Sequence, residues 1–377
     1  MYRRAPARDH WTSRRSVERF LPSHALMSER WILRKGTKRS GFRYVTQGGR
    51  PVRDAATRAR IEALVVPPAW TDVHVAPSAR AAIQAWGFDA KGRRQYRYHD
   101  KAIERGSLRK HYRVRQMALD LPLIREAVRR DFVATRRGRF TKERVTAGVV
   151  RLISEGFFRV GSERYAKENR THGIATMAKR HVLVKGDAVH FHYVGKKSIE
   201  QWQVVVDRGL ARFVSEMLKT PGTRLFRYRT EEGGWADLTA RDVNDYLHDL
   251  VGVPYTAKDF RTWGGTLRAA TVLAELGPAK TPTEAKRNVA TAVRLVAAEL
   301  GNTPAICRKS YIHPMVLARY EDEGVTIADD MPSSSAGRRR RGAWRYAPEE
   351  RALIKFLDRY FPERRKRRRT EESRRAA

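Results

Sequence analysis

A single cysteine, Cys307, stands in 377 residues. It excludes an internal disulfide and any zinc site built from several thiolates, and it suits a reducing compartment. Acidic side chains are scarce beside basic ones: 41 Asp and Glu face 78 Lys and Arg, a formal charge of +37. A polyanion is the partner such a chain calls for. No apolar run approaches membrane-spanning length, and the stretch from Met1 to Arg8 lacks the apolar core of a signal peptide, so a cytoplasmic protein with no membrane contact is expected. The usual catalytic signatures are missing too. There is no paired-histidine zinc motif, Walker loop, dinucleotide-binding glycine pattern or Gly-x-Ser-x-Gly elbow. The 11 histidines are scattered, and His190 with His192 reads as an exposed strand face.

What is present is enough apolar content, 41%, to give two ordinary domains a core each. The charge is not confined to one tail. Residues 331–377 carry +10, leaving +27 of the +37 on the first 330 residues, so a structured basic surface is expected to grip nucleic acid. Residues 1–28 read as a basic flexible arm. Residues 29–108 read as a small β-rich DNA-binding domain: an alternating run at 42–46 followed by the turn Gln47-Gly48-Gly49, a helix over 55–64, then short strands at 73–75, 83–86 and 94–98. In the last of these, period two puts Gln95 and Arg97 on one face and Tyr96 and Tyr98 on the other, either as a base- or phosphate-contacting surface or as the core of a small sheet. Residues 109–320 read as a mainly helical domain, with helices over 121–132, 142–158, 238–250, 266–276 and 282–300, and a three-stranded antiparallel sheet over 181–206 with Lys196 at a tip. Residues 321–377 read as a basic extension. It holds a serine linker at 333–335, arginine runs at 338–341 and 364–369, and one amphipathic helix over 348–361.

The chemistry centres on Gly301 to Pro314. Thr303-Pro304 is a helix start and Pro314 forces a stop behind Tyr311, so one tyrosine sits on a short helix beside cations. A phenol, arginines and a lysine suffice for phosphoryl transfer. Arginines neutralise phosphate oxygens, nearby cations favour the anion of a group that ordinarily ionises near pH ~10, and a lysine protonates the departing alkoxide. Taken alone, the segment equally suits a short helix with a core tyrosine.

The order Arg159, Lys196 on a hairpin turn, Arg261 in Lys-Asp-Phe-Arg-Thr, Asn302, and Tyr311 in Ser-Tyr-Ile-His-Pro resembles the active site of the type IB DNA topoisomerases, in their poxvirus and bacterial branch. The resemblance implies an α+β, C-shaped clamp of two domains around duplex DNA, acting as a monomer associated with the nucleoid. It implies a 3′-phosphotyrosine on Tyr311, strand rotation and resealing, without ATP or metal. It makes Arg159 and Arg261 holders of the non-bridging oxygens and Lys196 the general acid, with Lys197 its rival. Arg164 and Tyr165 become phosphate contacts, and Gln95, Tyr96 and Tyr98 part of the DNA surface. Asn302 departs from the histidine common there, which confines it to hydrogen bonding. A tyrosine recombinase is the nearest alternative, disfavoured because Lys258 stands where its histidine would precede the second arginine. A non-enzymatic DNA-compacting protein would share the charge but gives no reason for the ordered set.

Overall fold

Short β-branched and aromatic runs broken by Gly and Pro build the first of two units into which the chain divides, Met1–Arg109 and Lys110–Ala377. The structure is a computed structural model that describes residues 31–133, 140–331 and 346–360. The expected arm at 1–28, the linker at 333–335 and the arginine runs at 338–341 and 364–369 lie outside the described residues. The architecture is mixed α/β.

In the first unit, β1 (Ile32–Thr37), β2 (Gly41–Val45), α1 (Ala55–Ala63), β3 (Thr71–Val75), β4 (Ile83–Phe88) and β5 (Arg94–Tyr98) follow in order. The strands form one antiparallel sheet in the order β2-β1-β3-β4-β5. Ile32, Ile61, Val73, Val75 and Ala85 pack between sheet and α1. The turn expected at Gln47-Gly48-Gly49 closes a short hairpin: Gly49 N donates to Thr46 O at 2.9 Å, Thr46 N to Arg50 O at 2.8 Å and Val52 N to Tyr44 O at 2.9 Å, around an antiparallel Val45–Pro51 bridge. The longer pairing of β2 is with β1, from Leu33↔Val45 to Thr37↔Gly41.

Helix α2 (Asp100–Val133) is a single 34-residue element that starts well before the helix expected at 121. In the second unit follow α3 (Lys142–Gly156), α4 (Glu163–Asn169), β6 (Val182–Lys185), β7 (Ala188–Val194), β8 (Glu200–Val206), α5 (Arg208–Leu218), β9 (Arg227–Arg229), β10 (Trp235–Asp237), α6 (Ala240–Val251), α7 (Ala257–Leu276), α8 (Pro282–Glu299), α9 (Pro304–Ser310), α10 (Pro314–Glu323) and α11 (Pro348–Tyr360). Strands β6-β7-β8 make the expected three-stranded antiparallel sheet, and β9 and β10 a separate two-stranded one. The core joins α3, α5, α7 and α8 through side chains such as Leu152, Phe213, Leu273 and Val293. Helix α11 is tied to that body by a two-pronged Arg125–Glu350 ion pair at 2.8 and 2.7 Å, and by Tyr346 Oη donating to Leu119 O at 2.8 Å.

Helix α7 is the element the sequence reading most underestimates. It begins nine residues before the expected position 266, because Asp259 accepts from both Thr256 N and Thr256 Oγ1 at 2.9 Å in a capping box. Gly264 and Gly265 lie inside it as sites of close approach and do not break it. A Cβ on Gly264 would stand 1.9 Å from the Phe157 ring, and one on Gly265 would stand 2.9 Å from Tyr311 O. Among the described residues, no helix is long and apolar enough to cross a membrane.

Candidate active site

Four of the five expected catalytic residues meet in the second unit, and each is placed by local backbone chemistry. Helix α3 ends at Phe157, whose left-handed conformation (φ 52) turns the chain. Phe158 then buries completely, and Arg159 follows, its carbonyl accepting from Ile174 N at 2.8 Å. Helix α8 stops at Gly301 (φ +56), after which Asn302 N returns to Ala297 O at 2.9 Å. Thr303 caps α9, and Tyr311 is the residue at its carboxyl-terminal cap, donating from N to Cys307 O at 2.9 Å. The tyrosine therefore stands just past the short helix. Thr266 Oγ1, which donates to Thr262 O at 2.7 Å and lies 3.3 Å from Tyr311 O, accepts from His313 N at 3.0 Å, so α7 fixes the backbone just past the tyrosine.

The two arginines are held by neutral acceptors. Arg261, 2% exposed, donates from one Nη to Leu300 O at 2.7 Å and from the other to Phe157 O. Its Cζ lies 5.1 Å from the centroid of the Tyr311 ring. Burial and the neighbouring Arg159 push Arg261 below its ordinary pKa, while the phenols of Tyr311 and Tyr193 act the other way. Arg159 is half-buried. Its Nη2 donates to Gly301 O at 2.8 Å and to Asn302 Oδ1 at 2.6 Å. Among the described residues neither guanidinium is ion-paired, whereas Arg113, Arg144, Arg151 and Arg224 in the same unit all face carboxylates. A buried cation without a counter-ion is unfavourable by itself, and a site of this kind suits an incoming anion.

Lys196 opens the single 3₁₀ turn Lys196–Ser198 between β7 and β8 and is exposed, with no hydrogen bond to the other four. Its turn is nevertheless tied to them through Gln201, a residue the sequence reading passed over. A Cβ on Gly195 would lie 2.7 Å from Gln201 Cγ, and one on Gly301 would lie 2.0 Å from Gln201 Oε1, so this buried side chain fills the space between the lysine turn and the Asn302 junction. Tyr193 was missed as well. It is 4% exposed, hydrogen-bonded to Gln203 Oε1 at 3.0 Å, and pushed by burial up to about 12 against the pull of Arg159 and Arg261. Lys110 is a third: its Nζ donates to Ser310 O at 3.3 Å, on the residue before the tyrosine, and burial beside Lys258 lowers its pKa to about 8. Strand alternation was the one available signal for Tyr193 and Gln201, and nothing local marked Lys110.

The remaining expected residues are placed as follows. Arg164 and Tyr165 lie on α4, both well exposed, with Arg164 paired to Glu168 at 2.8 Å. In the first unit, Gln95 donates to Asp89 Oδ2 at 3.0 Å, and the Tyr96 and Tyr98 rings stack at 5.7 Å. Tyr98 is 48% exposed, which disfavours a core role for it.

Residues 100–334 match the family model described as the catalytic core of eukaryotic DNA topoisomerase I. The chain belongs to the type IB DNA topoisomerases. Residues 41–89 match the amino-terminal domain of bacterial DNA topoisomerase IB. Similar family members include DNA topoisomerase 1B of Acanthamoeba polyphaga mimivirus, 32% identical over 270 residues that span 70% of this chain and 80% of that one. DNA topoisomerase 1B of vaccinia virus (strain Copenhagen) is 24% identical over 63% of this chain and 72% of its own. DNA topoisomerase 1 of rabbit fibroma virus is 27% identical over 61% and 70%.

Proposed function

We propose that this enzyme, an isomerase acting on duplex DNA, relaxes supercoils with Tyr311 as its nucleophile. The phenolic oxygen attacks a backbone phosphorus, the bond to the 5′ oxygen breaks, and a 3′-phosphotyrosyl bond forms. After strand rotation the 5′-hydroxyl attacks that bond and restores the chain. Arg159 and Arg261 neutralise the non-bridging oxygens, Asn302 adds a hydrogen bond from its amide, and Lys196 on its turn gives a proton to the departing 5′ oxygen. The observation that carries this reading is the pair of guanidinium groups held by carbonyls and not by carboxylates, one of them over the ring of Tyr311. The energy of the broken phosphodiester is kept in the tyrosyl ester, so the scheme needs neither ATP nor a metal.

Gln95, Tyr96, Tyr98, Arg164 and Tyr165 are assigned to DNA contact, and the two units to a C-shaped clamp that acts as a monomer on the nucleoid. The family match and Lys258 at the position of the recombinase histidine favour relaxation over strand exchange. The test is relaxation of a supercoiled plasmid in EDTA without ATP, by the purified protein and by Tyr311→Phe. The variant should bind DNA yet form no covalent adduct. Relaxation that persists in Tyr311→Phe removes the nucleophile assignment.

A further inference from the structure

The three-stranded sheet has two unlike faces. Val189, Phe191, Tyr193 and Val205 point into the core. Alternation sends Leu183, His190, His192, Trp202, Val204 and Val206 to the other side, where Trp202 is 71% exposed, Val204 56% and Val206 74%. His192 and Trp202 are directly opposed across β7 and β8, and their rings stack at 3.6 Å and 14°. One face of the indole is thus taken by the imidazole, and the exposure of the residue leaves the rest open to solvent. Exposed aromatic and aliphatic surface of this extent marks a binding surface.

The chemistry around the ring pair selects the occupant. A cleft beside it is lined by Arg180, His181, Lys185 and His190 and by no carboxylate. A second cleft shares Arg180 and His181 and adds Arg170 and His172, again without a carboxylate. Among the described residues, the acidic side chain on the strands of this face is Glu200, at the flank, 3.6 Å from His192 Nε2. Cations along a groove with a free aromatic face fit a nucleic acid strand: phosphates take the cations and a base stacks on the ring. A duplex offers only base edges and phosphates, so the base must be unpaired.

We propose that the outer face of the β6-β7-β8 sheet binds single-stranded DNA, stacking an unpaired base on the Trp202–His192 pair while Arg180 and Lys185 contact the backbone. Underwound DNA supplies such strands where it melts. The site is separate from the residues assigned to cleavage, so it can fail without that assignment failing.

The test uses the full chain with a short oligothymidylate carrying one 2-aminopurine, and a duplex of equal length as control. The wild-type protein should quench the 2-aminopurine as the strand binds. Trp202→Ala should abolish the quench and weaken single-strand binding roughly tenfold, Trp202→Phe should restore most of both, and duplex cleavage and plasmid relaxation should stay unchanged. Arg180→Ala should lower the slope of log affinity against log salt by about 0.7. Unchanged quench and affinity in Trp202→Ala overturn the proposal, as does an equal loss on duplex by a variant that keeps the wild-type unfolding midpoint, since the face would then not select unpaired bases. Concentration-dependent self-association abolished by Trp202→Ala, with single-strand binding intact, would overturn it in favour of a protein-docking surface.

Discussion

Asn302 is the member of the proposed catalytic set whose contribution can be worked out most directly. Its Oδ1 accepts from Arg159 Nη2 at 2.6 Å, and its Nδ2 donates to Leu300 O at 3.3 Å. Replacing it by alanine removes a hydrogen bond to a charged group, worth about 1.5–3 kcal/mol. Arg159 keeps Gly301 O at 2.8 Å, so the arginine stays tethered but loses one of its two guides. If that loss is felt at the transition state, cleavage slows roughly tenfold to a hundredfold. Asn302→Asp preserves the shape and the acceptor but brings a negative charge to where the proposed scheme puts the phosphate. At ~4 Å and an effective dielectric near 20, the repulsion is of order 4 kcal/mol, or roughly a thousandfold. The order wild type, alanine, aspartate should therefore appear in single-turnover formation of the covalent adduct on a nicked duplex. Duplex binding should change far less than cleavage in Asn302→Ala. An alanine variant within twofold of wild type, or an aspartate variant faster than alanine, would refute the reasoning.

Three further outcomes follow from particular contacts. Gly264→Ala places a Cβ 1.9 Å from the Phe157 ring and should destabilise the fold by about 1–3 kcal/mol in urea titration; an unchanged midpoint would mean the ring has room to move. Arg125→Met leaves Glu350 buried without its partner and should cost about 3–5 kcal/mol, much of it recovered in Arg125→Met/Glu350→Leu, as equilibrium unfolding can measure. Lys110 ionises near 8 in the folded chain against 10.5 ordinarily, so the unfolded chain holds the extra proton between those values, and this group's unfavourable contribution, complete below pH 8, fades as pH rises to 10.5. The Tm of Lys110→Met relative to wild type should accordingly fall across that window, and a constant difference would exclude the buried charge as the cause.

The residues that read clearly from sequence were those whose signal is local. Thr303-Pro304 and Pro314 marked the ends of α9, and Thr281-Pro282 and Gly301 those of α8, so Asn302 and Tyr311 came out close to their observed places. The three-stranded sheet came from alternation and two glycine turns. Helix α7 was shortened because Gly264 and Gly265 weaken the apolar period, although they serve close contact with Phe157 and Tyr311. Helices α4 and α5 and the β9–β10 pair were not read at all. Gln201 and Lys110 were illegible for a different reason: each acts through a partner about 100 or 200 positions away, and no spacing rule reaches that far.

The deepest part of the site lies in groups that every residue carries. Sequence order singles out Arg159 and Arg261 but says nothing of what holds them. In the folded chain Phe157 O, Leu300 O and Gly301 O hold them, and carbonyls at the ends of α3 and α8 orient a guanidinium without neutralising it. A carboxylate in the same places would hold the arginines more tightly and compete with the phosphate for their charge. Asp259 shows the alternative two residues away, engaging Arg113 at 2.8 Å to brace the start of α7. The same helix thus carries a carboxylate that neutralises an arginine of α2, and an arginine with carbonyl partners that suits an anion. The choice between the two is made by where the helices end, which is why helix boundaries, more than side-chain identities, decide what this site can do.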